Sequence, residues 1–539
     1  MPTRRQLSAR SLRCLVPTHN ESAARIRANL IAITDSLAET AQLGRFHVVV
    51  LSDSNQPDIV IAEAAMVQGL RDRLDPVTQA YYRHRDDNVD LKAGNIGDWI
   101  RTHGAPYDHF VILDADSLMD GATLVRLAAT MERDPDLGVL QTAPTVIGGE
   151  TLFARLQQFG AGACGPLITR GLAWWNGEDG NYWGHNAMIR TSAFAAAAGL
   201  PHLRGRRPFG GQVMSHDFVE GALVRRAGWA VRLAPELPGS YEESPPSLVD
   251  LATRDRRWCQ GNLQHLALLR ARGFRPISRL HFLTGIFAYV ASPVWLAFLV
   301  VGVLASLQAR YLPMRQGSAG FELLALPAQD AGRARLLFIV TMALLVAPKL
   351  IALFVLLAQR ESRRGCGGTA AVCVTVGVDT IVSALIAPIM MLVQTQAVVS
   401  VLSGRDAGWK AQRRDGVIPP SEIVRRHLWH TGVGVVLGVT AWLVSPWLFV
   451  WMIPIVAGLV LAIPISALTA RPAGRRLGLF RTPEEATAPP IVAARDRAEE
   501  LSATLPRPPS GGTSDQYSDQ ERGAWWEPTG PVPTSEPRP

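Results

Sequence analysis

The feature that most limits the fold of this chain is a set of long, nearly uncharged apolar stretches confined to its second half. Residues 282 to 306, 336 to 358, 430 to 447 and 449 to 469 are each long enough, as helices, to cross about 30 Å of hydrocarbon. Residues 1 to 275 instead alternate short apolar runs with charges. The expectation is a soluble domain followed by a membrane domain, and 539 residues are in any case too many for one core. A formal charge of +8 raises the question of nucleic acid, but no Lys/Arg-rich stripe interleaved with aromatics occurs in the first half. Basic residues beside membrane segments account for the excess, so the expected partner is a lipid bilayer and not a nucleic acid. Cys14, Cys164, Cys259, Cys366 and Cys373 form no CxxC spacing, which fits a reducing cytoplasm and implies neither a zinc site nor a disulfide framework. "MPTRRQLSARSLR" is basic but lacks the apolar core of a signal peptide, so residues 1 to 11 read as a basic tail.

The soluble half reads as α/β. "RCLVPTHNE" (13 to 21), "FHVVVLSDS" (46 to 54), "HFVILDADS" (109 to 117) and "LGVLQTAP" (137 to 144) are short apolar runs separated by helical patterns. Such runs suit strands covered on both faces, as in a parallel sheet. The first three end in polar residues, and ligands of open α/β sheets bind outside the carboxyl ends of strands, so these tips are expected to converge on one ligand. No GxGxxG or Walker sequence follows any of them, which counts against dinucleotide and ATP sites.

Asp114 and Asp116 leave a strand one residue apart. Where the strand turns, one carboxylate can face a ribose while the other reaches a divalent cation that would neutralise a diphosphate. An isolated Asp-x-Asp is more often only a turn. Asp53, which ends another β-run, makes coincidence a poor explanation. Downstream, "SHDFVEGALVRRAGW" places Asp217 before an amphipathic segment, where it is either an N-cap or a general base. In "RDRRWCQGN", Arg257 offers a guanidinium to phosphate and Trp258 a flat face to a sugar. Alone, that segment would pass for a basic juxtamembrane helix.

In this order, Pro17-Thr18-His19-Asn20-Glu21, Asp53, Asp114/Asp116, Asp217 and Arg257-Trp258 resemble the processive glycosyltransferases of family 2, whose members include cellulose and hyaluronan synthases. The longer stretches "LSDS", "YYRHRDDNVDLKAGNIGDW", "NYWGHNAMIR", "SHDFVEGALVRRAGW" and "RDRRWCQGNLQHL" are similar to the subfamily that builds osmoregulated periplasmic glucans, and the resemblance covers roughly 12 to 430. Ser215-His216-Asp217 replaces the broader family's Thr-Glu-Asp, and Arg254 stands at its usual Gln position. The resemblance implies a GT-A (Rossmann-like) catalytic domain over 12–275 that takes UDP-glucose and a nascent glucan acceptor. Asp53, Thr18, Glu21 and Lys92 would bind the nucleotide, Asp114 the ribose side, and Asp116 the Mg2+ or Mn2+ on the diphosphate. Arg257 would stabilise departing UDP, and Trp258, His185 and Asn186 would hold the acceptor. Asp217 would be the base of an inverting transfer, giving a β-1,2 linkage in this subfamily. Acyl carrier protein is a partner by resemblance alone.

The membrane domain is expected over 276–471. A fifth apolar stretch, 369 to 403, carries Asp379 and Pro388 between basic flanks, Arg360 to Arg364 and Arg405 to Arg426. Positive-inside bias puts both flanks in the cytoplasm, so this stretch is expected to be re-entrant, interfacial or a hairpin and not a single crossing. Four ordinary crossings then return the C-terminus to the cytoplasm and leave the turn near Pro446 outside. Lys349, beside Pro348 near the middle of the second span, either lines a polar path for glucan, snorkels, or pairs with Asp379. Residues 403–428, with "SGRDAGWKAQRRDG", are either an interfacial segment roofing the active site or a basic surface loop. The Pro-, Ser- and Thr-rich chain from 472 to 539 is expected to be a disordered cytoplasmic tail with no room for a second-messenger-binding domain. Relatives of this kind carry membrane helices before the catalytic domain. Here that domain begins soon after Met1, so those helices are absent, supplied by a partner, or encoded upstream of the start given.

Three functions stay open at this point: an inner-membrane glucosyltransferase that polymerises and exports β-glucan, another family 2 polysaccharide synthase or lipid-sugar transferase, and a non-enzymatic UDP-sugar-binding scaffold. "RDRRWCQGN" favours the first, and the full set of Asp53, Asp116, Asp217 and Trp258 argues against the last.

Overall fold

The computed structural model describes residues 12–74, 78–197, 199–311, 331–405, 418–473 and 478–504. Its strands are β1 (Leu12–Thr18), β2 (Phe46–Ser52), β3 (Ala80–His84), β4 (His109–Ile112), β5 (Leu118–Met119), β6 (Leu137–Thr142), β7 (Thr145–Ile147), β8 (Ala187–Arg190), β9 (Ala230–Ala234) and β10 (Ser240–Glu243). The helices of the first half are α1 (Ala23–Glu39), α2 (Pro57–Arg71), α3 (Leu91–His103), α4 (Gly121–Arg133), α5 (Leu152–Asn176), α6 (Thr191–Ala197), α7 (His216–Arg226) and α8 (Leu248–Gln264). Those of the second half are α9 (Pro276–Tyr311), α10 (Ala331–Ala358), α11 (Arg360–Gly365), α12 (Thr369–Leu402), α13 (Pro420–Val444), α14 (Pro446–Val460), α15 (Ala462–Thr469), α16 (Pro483–Ala486) and α17 (Pro490–Thr504).

The first half is a mixed α/β domain built on a seven-stranded sheet of order β3-β2-β1-β4-β8-β6-β9. Successive side chains of a strand point to opposite faces, and both faces here are apolar. Cys14, Val16, Val48, Val50 and Val111 pack under α1, α2 and α4, whereas Leu15, Val49, Leu51, Phe110 and Ile112 pack under α3 and α6. That double burial is why β1, β2 and β4 read as continuous apolar runs. β1 pairs in parallel with β2 and β4, setting Thr18 opposite Ser52 and bringing the strand tips together. β8 runs antiparallel to β4 and β6, so the loop entering it arrives at the same end as the tips. A second sheet, β5-β10-β7, carries Glu242 to that end.

In the second half, α9, α10, α12 and α13 are long and apolar enough to cross a membrane, and the pair α14–α15, bent by 55°, makes a fifth span if taken as one. The chain breaks at Ser445 between α13 and α14, where the turn near Pro446 was expected.

Two expectations need correction. Residues 369 to 403 form neither a hairpin nor a broken loop: α12 is one helix of 34 residues with Pro388 inside it. Asp379 does not force a break because Lys349 Nζ lies 2.7 Å from its Oδ2 and 3.0 Å from Ser383 Oγ. Lys349 is therefore the paired lysine of the earlier alternatives. The same helix packs on the catalytic domain near its start (Val372 and Val376 with Phe159), in its middle (Ile389 with Phe153 and Leu248) and near its end (Val398 and Val401 with Cys259). It therefore meets that domain at several points while also packing on α9 and α14. The second correction concerns the tail, because α17 packs against α1, burying Ile491 and Val492. Arg495 reaches Glu243 Oε1 at 3.0 Å. The apolar face of this short helix was masked by its Pro-rich surroundings. Most of the proposed roof, 406–417, lies outside the described residues.

Replacing Lys349 or Asp379 singly by leucine should lower the detergent-solubilised protein's melting temperature, whereas the double replacement should recover most of the loss. The single-variant cost should fall toward the lower end of the roughly 3–5 kcal/mol typical of a halved buried pair, since Lys349 keeps 27% of its side chain exposed.

Candidate active site

A cleft of about 630 Å³ opens at the strand tips, lined by residues from Pro17 to Asn262. It gathers Thr18, Glu21, Asp53, Lys92, Asp114, Asp116, His185, Asp217, Arg257 and Trp258, ten of the eleven candidates. The eleventh, Asn186, is fully buried behind it. Its amide donates to Ser240 Oγ (2.9 Å) and the Tyr241 carbonyl (3.2 Å), so it ties the start of β8 to β10 and is not among the residues that line the cleft. The "GHN" motif hid this because adjacent residues at a strand entrance point in different directions.

The side of the cleft formed by Asp53, Lys92 and Asp114 is built on fixed charges. Asp53 accepts a bidentate pair from Arg85, at 2.9 Å to each oxygen, and a bond from Asn95 at 2.8 Å. Arg85 and Asn95 stand in "YYRHRDDNVDLKAGN", so that long stretch holds Asp53 in place as well as supplying Lys92. Lys92 ion-pairs with Asp114 and donates to the Gly184 carbonyl at 2.8 Å. Burial alone would raise the Asp114 carboxyl, but Lys92 and then His185 outweigh it and hold it down at about 2. Thr18 Oγ1 and His185 Nδ1 are buried polar atoms with no partner among the described residues, as expected of groups awaiting a ligand.

The acidic side is different. Glu242, which sequence reading missed, projects from β10 with its Oε2 3.5 Å from His185 Nε2. Its carboxyl is pushed up, first by burial and also by the charge of Asp116. The available signal was "SYEESPP", one more strand tip ending in carboxylates. Among the described residues no three ligating side chains gather in one place. The Asp116–Glu242 pair nevertheless fits Mg2+ or Mn2+, which commonly takes one or two carboxylates and completes its shell with substrate phosphates and water.

The transfer side comes from α7 and α8. Ser215 occupies the N-cap position, and Asp217 lies in the first turn of α7 facing the cleft, so it is not the capping residue. Gly184 lies beside it at φ +88°, a left-handed backbone conformation that a side chain would strain. His216 Nδ1 lies 3.1 Å from Glu220. Burial works against protonation of this imidazole, but Glu220 raises its pKa above the usual value. His216 lines the cleft and Glu220 is buried behind it, and no role was assigned to either from the sequence.

Helix α8 presents Arg254, Arg257 and Trp258 to the cleft. Burial lowers the Arg257 pKa, opposed by the nearby charges of Asp114 and Glu21. The Arg254 guanidinium stacks 4.4 Å over the Trp258 ring, so one indole face is occupied by the protein and the other is left for a ligand. On its other side α8 approaches the Asp217 loop so closely that a side-chain carbon at Gly261 would lie 2.2 Å from Ser215 Oγ. Gln264 accepts from Met214 N at 2.9 Å, and His265 Nε2 lies 3.1 Å from the Ser215 carbonyl.

A mixed α/β sheet with an acidic strand tip, a helix-borne aspartate and an Arg-Trp pair over one cleft is the arrangement of a sugar-nucleotide transferase. The pattern described as glycosyl transferase family 2 matches residues 14–196, and that of glycosyl transferase family group 2 matches 109–357. The chain belongs to glycosyltransferase family 2. It is 52% identical over 484 residues to the glucans biosynthesis glucosyltransferase H of Rhodopseudomonas palustris, covering 89% of this chain and 66% of that protein. Its identity to the protein of the same name from Bradyrhizobium diazoefficiens is 50% over 509 residues, 94% of this chain and 67% of the relative. For the Shewanella baltica protein of that name it is 48% over 477 residues, 87% and 66%. The chain thus spans about two thirds of the length of the curated relatives it matches.

Two outcomes test this geometry. Gly261→Ala should push Ser215 aside and misplace Asp217, cutting turnover at least tenfold while nucleotide affinity, measured by calorimetry, changes little. Asp114, with its lowered pKa, contributes stability that is present above the ordinary carboxylate value of about 4 and is lost as pH falls through about 2. In Lys92→Met burial acts unopposed by that cation, so the acid-side loss of nucleotide binding should move to higher pH in a titration monitored by fluorescence.

Proposed function

We propose that this chain is an inverting, processive membrane glucosyltransferase that transfers glucose from UDP-glucose to a growing β-1,2-linked glucan. The observation that carries the reading is the convergence of the Lys92–Asp114 pair, Asp116 with Glu242, Asp217, and Arg257 with Trp258 on one cleft. The bilayer holds its helical half, with the catalytic domain on the cytoplasmic face of the inner membrane, where the donor is made and where the basic flanks of α12 are expected.

In this mechanism Thr18, Asp53, Lys92 and Asp114 orient the nucleotide. Asp116, with Glu242, would hold a divalent cation, which would supply charge neutralisation for the diphosphate. The open face of Trp258 holds the acceptor sugar, and Asp217 accepts the proton of its hydroxyl. The oxygen then forms a bond to C1 of glucose as the C1–phosphate oxygen bond breaks on the opposite face, so an α-linked donor gives a β-glucoside. Arg257 acts on the charge that accumulates on departing UDP, a contribution that commonly dominates such reactions. His216, 3.1 Å from Glu220, stands next to Asp217, and Glu220 favours its protonated form against the effect of burial.

Membranes containing the full chain, supplied with UDP-glucose and Mg2+, should release UDP and yield β-1,2-linked product. Asp217→Asn should lower release by about 10²–10⁴-fold while leaving UDP binding intact. A product of another linkage would move the assignment to a different synthase, and undiminished release would remove Asp217 as the base.

A further inference from the structure

The second sheet, β5-β10-β7, is too small to fix its own geometry. β5 has two residues, β7 three and β10 four. β10 pairs with β5 through Ser240 and Tyr241 alone, so Glu242 and Glu243 are laddered only on the other edge, to Val146 and Ile147 of β7. That half-paired end carries the cleft carboxylate Glu242, 3.5 Å from His185. A carboxylate on a strand end held from one side needs something else to set its place.

The neighbouring residue supplies it. Glu243 borders the cleft too, and its carboxylate is taken by two guanidiniums from different helices. Arg25 of α1 lies 2.9 Å from Oε2, and Arg495 of α17 donates to Oε1 at 3.0 Å. Arg495 is the better fixed of the two, with 8% of its side chain exposed against 28% for Arg25. Ile26 of α1 packs in one apolar cluster with Ile491 and Val492 of α17, so the two helices carry their arginines as a unit. The segment that leads to α17 is fastened at the start of α5, where Gln158 donates to Thr482 Oγ1 at 3.2 Å and Arg155 to Glu485 at 2.9 Å.

We propose that Arg495, acting through Glu243, is a positioning residue for Glu242: the α17 segment clamps the half-paired end of β10 and so sets where the cation-facing carboxylate stands. The inference rests on the reading of Asp116 and Glu242 as the cation side of the cleft. Desolvation offsets much of the attraction in a pair this buried, so what Arg495 and Glu243 chiefly contribute is a fixed position. Groups that orient a ligating side chain commonly change metal affinity by roughly 10–100-fold when they are removed, without touching the metal themselves.

The test measures Mn2+ binding to the full chain in detergent with UDP present, from the loss of the free Mn2+ electron paramagnetic resonance signal. Arg495→Met should weaken Mn2+ binding by about tenfold, and Arg495→Lys, which keeps the charge, should recover most of that loss. UDP affinity without metal should stay the same in both. Val492→Ala loosens the apolar contact of α17 and leaves the ion pair in place, so it should lower the melting temperature with Mn2+ affinity unchanged. If Glu242→Gln abolishes Mn2+ binding but Arg495→Met leaves it unaltered, or Val492→Ala lowers it equally, Arg495 only fastens α17 and the proposal is overturned. Mn2+ binding that survives Glu242→Gln would instead remove Glu242 from the cation side of the cleft, and the inference would fall with that reading.

Discussion

Helix α8 has to satisfy three neighbours at once, and the rest of the site depends on its doing so. Ser247 caps it through the Asp250 amide at 3.1 Å and fixes where it starts. One side then carries Arg254, Arg257 and Trp258 into the cleft, while Gly261, Gln264 and His265 on another hold the loop that ends in Asp217. The third neighbour is the helical half of the molecule. Asp255 accepts from Tyr289 of α9 at 3.0 Å and from Gln394 of α12 at 2.9 Å, and Gln394 in turn accepts from Ser292 at 2.6 Å. Asp217, Arg257 and Trp258 are thus fixed relative to one another and to two apolar helices by a single rigid element.

The cleft divides its charges in a way that suits a ligand with unlike ends. Around Asp114, Lys92 compensates the buried carboxylate, so that part is settled without a ligand. Around Asp116 and Glu242 two carboxylates share the cleft, and burial first, with the Asp116 charge after it, pushes the Glu242 pKa up. A diphosphate with its counter-cation relieves the second situation and leaves the first undisturbed.

Much of this was legible in the sequence for a definite reason. β1, β2 and β4 are parallel and covered on both faces, so their apolar runs are continuous, and their polar tips stand out as abrupt changes. Arg257 and Trp258 were legible only through their place in the order of motifs, since alone the segment would pass for a basic juxtamembrane helix. What was not legible depended on partners far away in the chain. Asn186 looked like an acceptor contact until Ser240 supplied its hydrogen bond. Glu220 and His216 are consecutive-turn neighbours whose pairing matters only because both are buried. The charge of Asp379 suggested a break in α12, since its compensating lysine lies 30 residues earlier. α17 was obscured by composition: a short helix can be held by a few buried side chains against α1 even when its surroundings are rich in proline.

The Lys349–Asp379 pair also bears on how the protein is made. Each residue alone puts an uncompensated charge on an otherwise apolar helix, which weakens retention of that helix in hydrocarbon. Because α10 leaves the ribosome before α12, Lys349 must wait, near water or against the insertion machinery, until Asp379 emerges. The pair thus makes each helix the other's partner, so the catalytic domain can meet a fully compensated α12 only after both have been made.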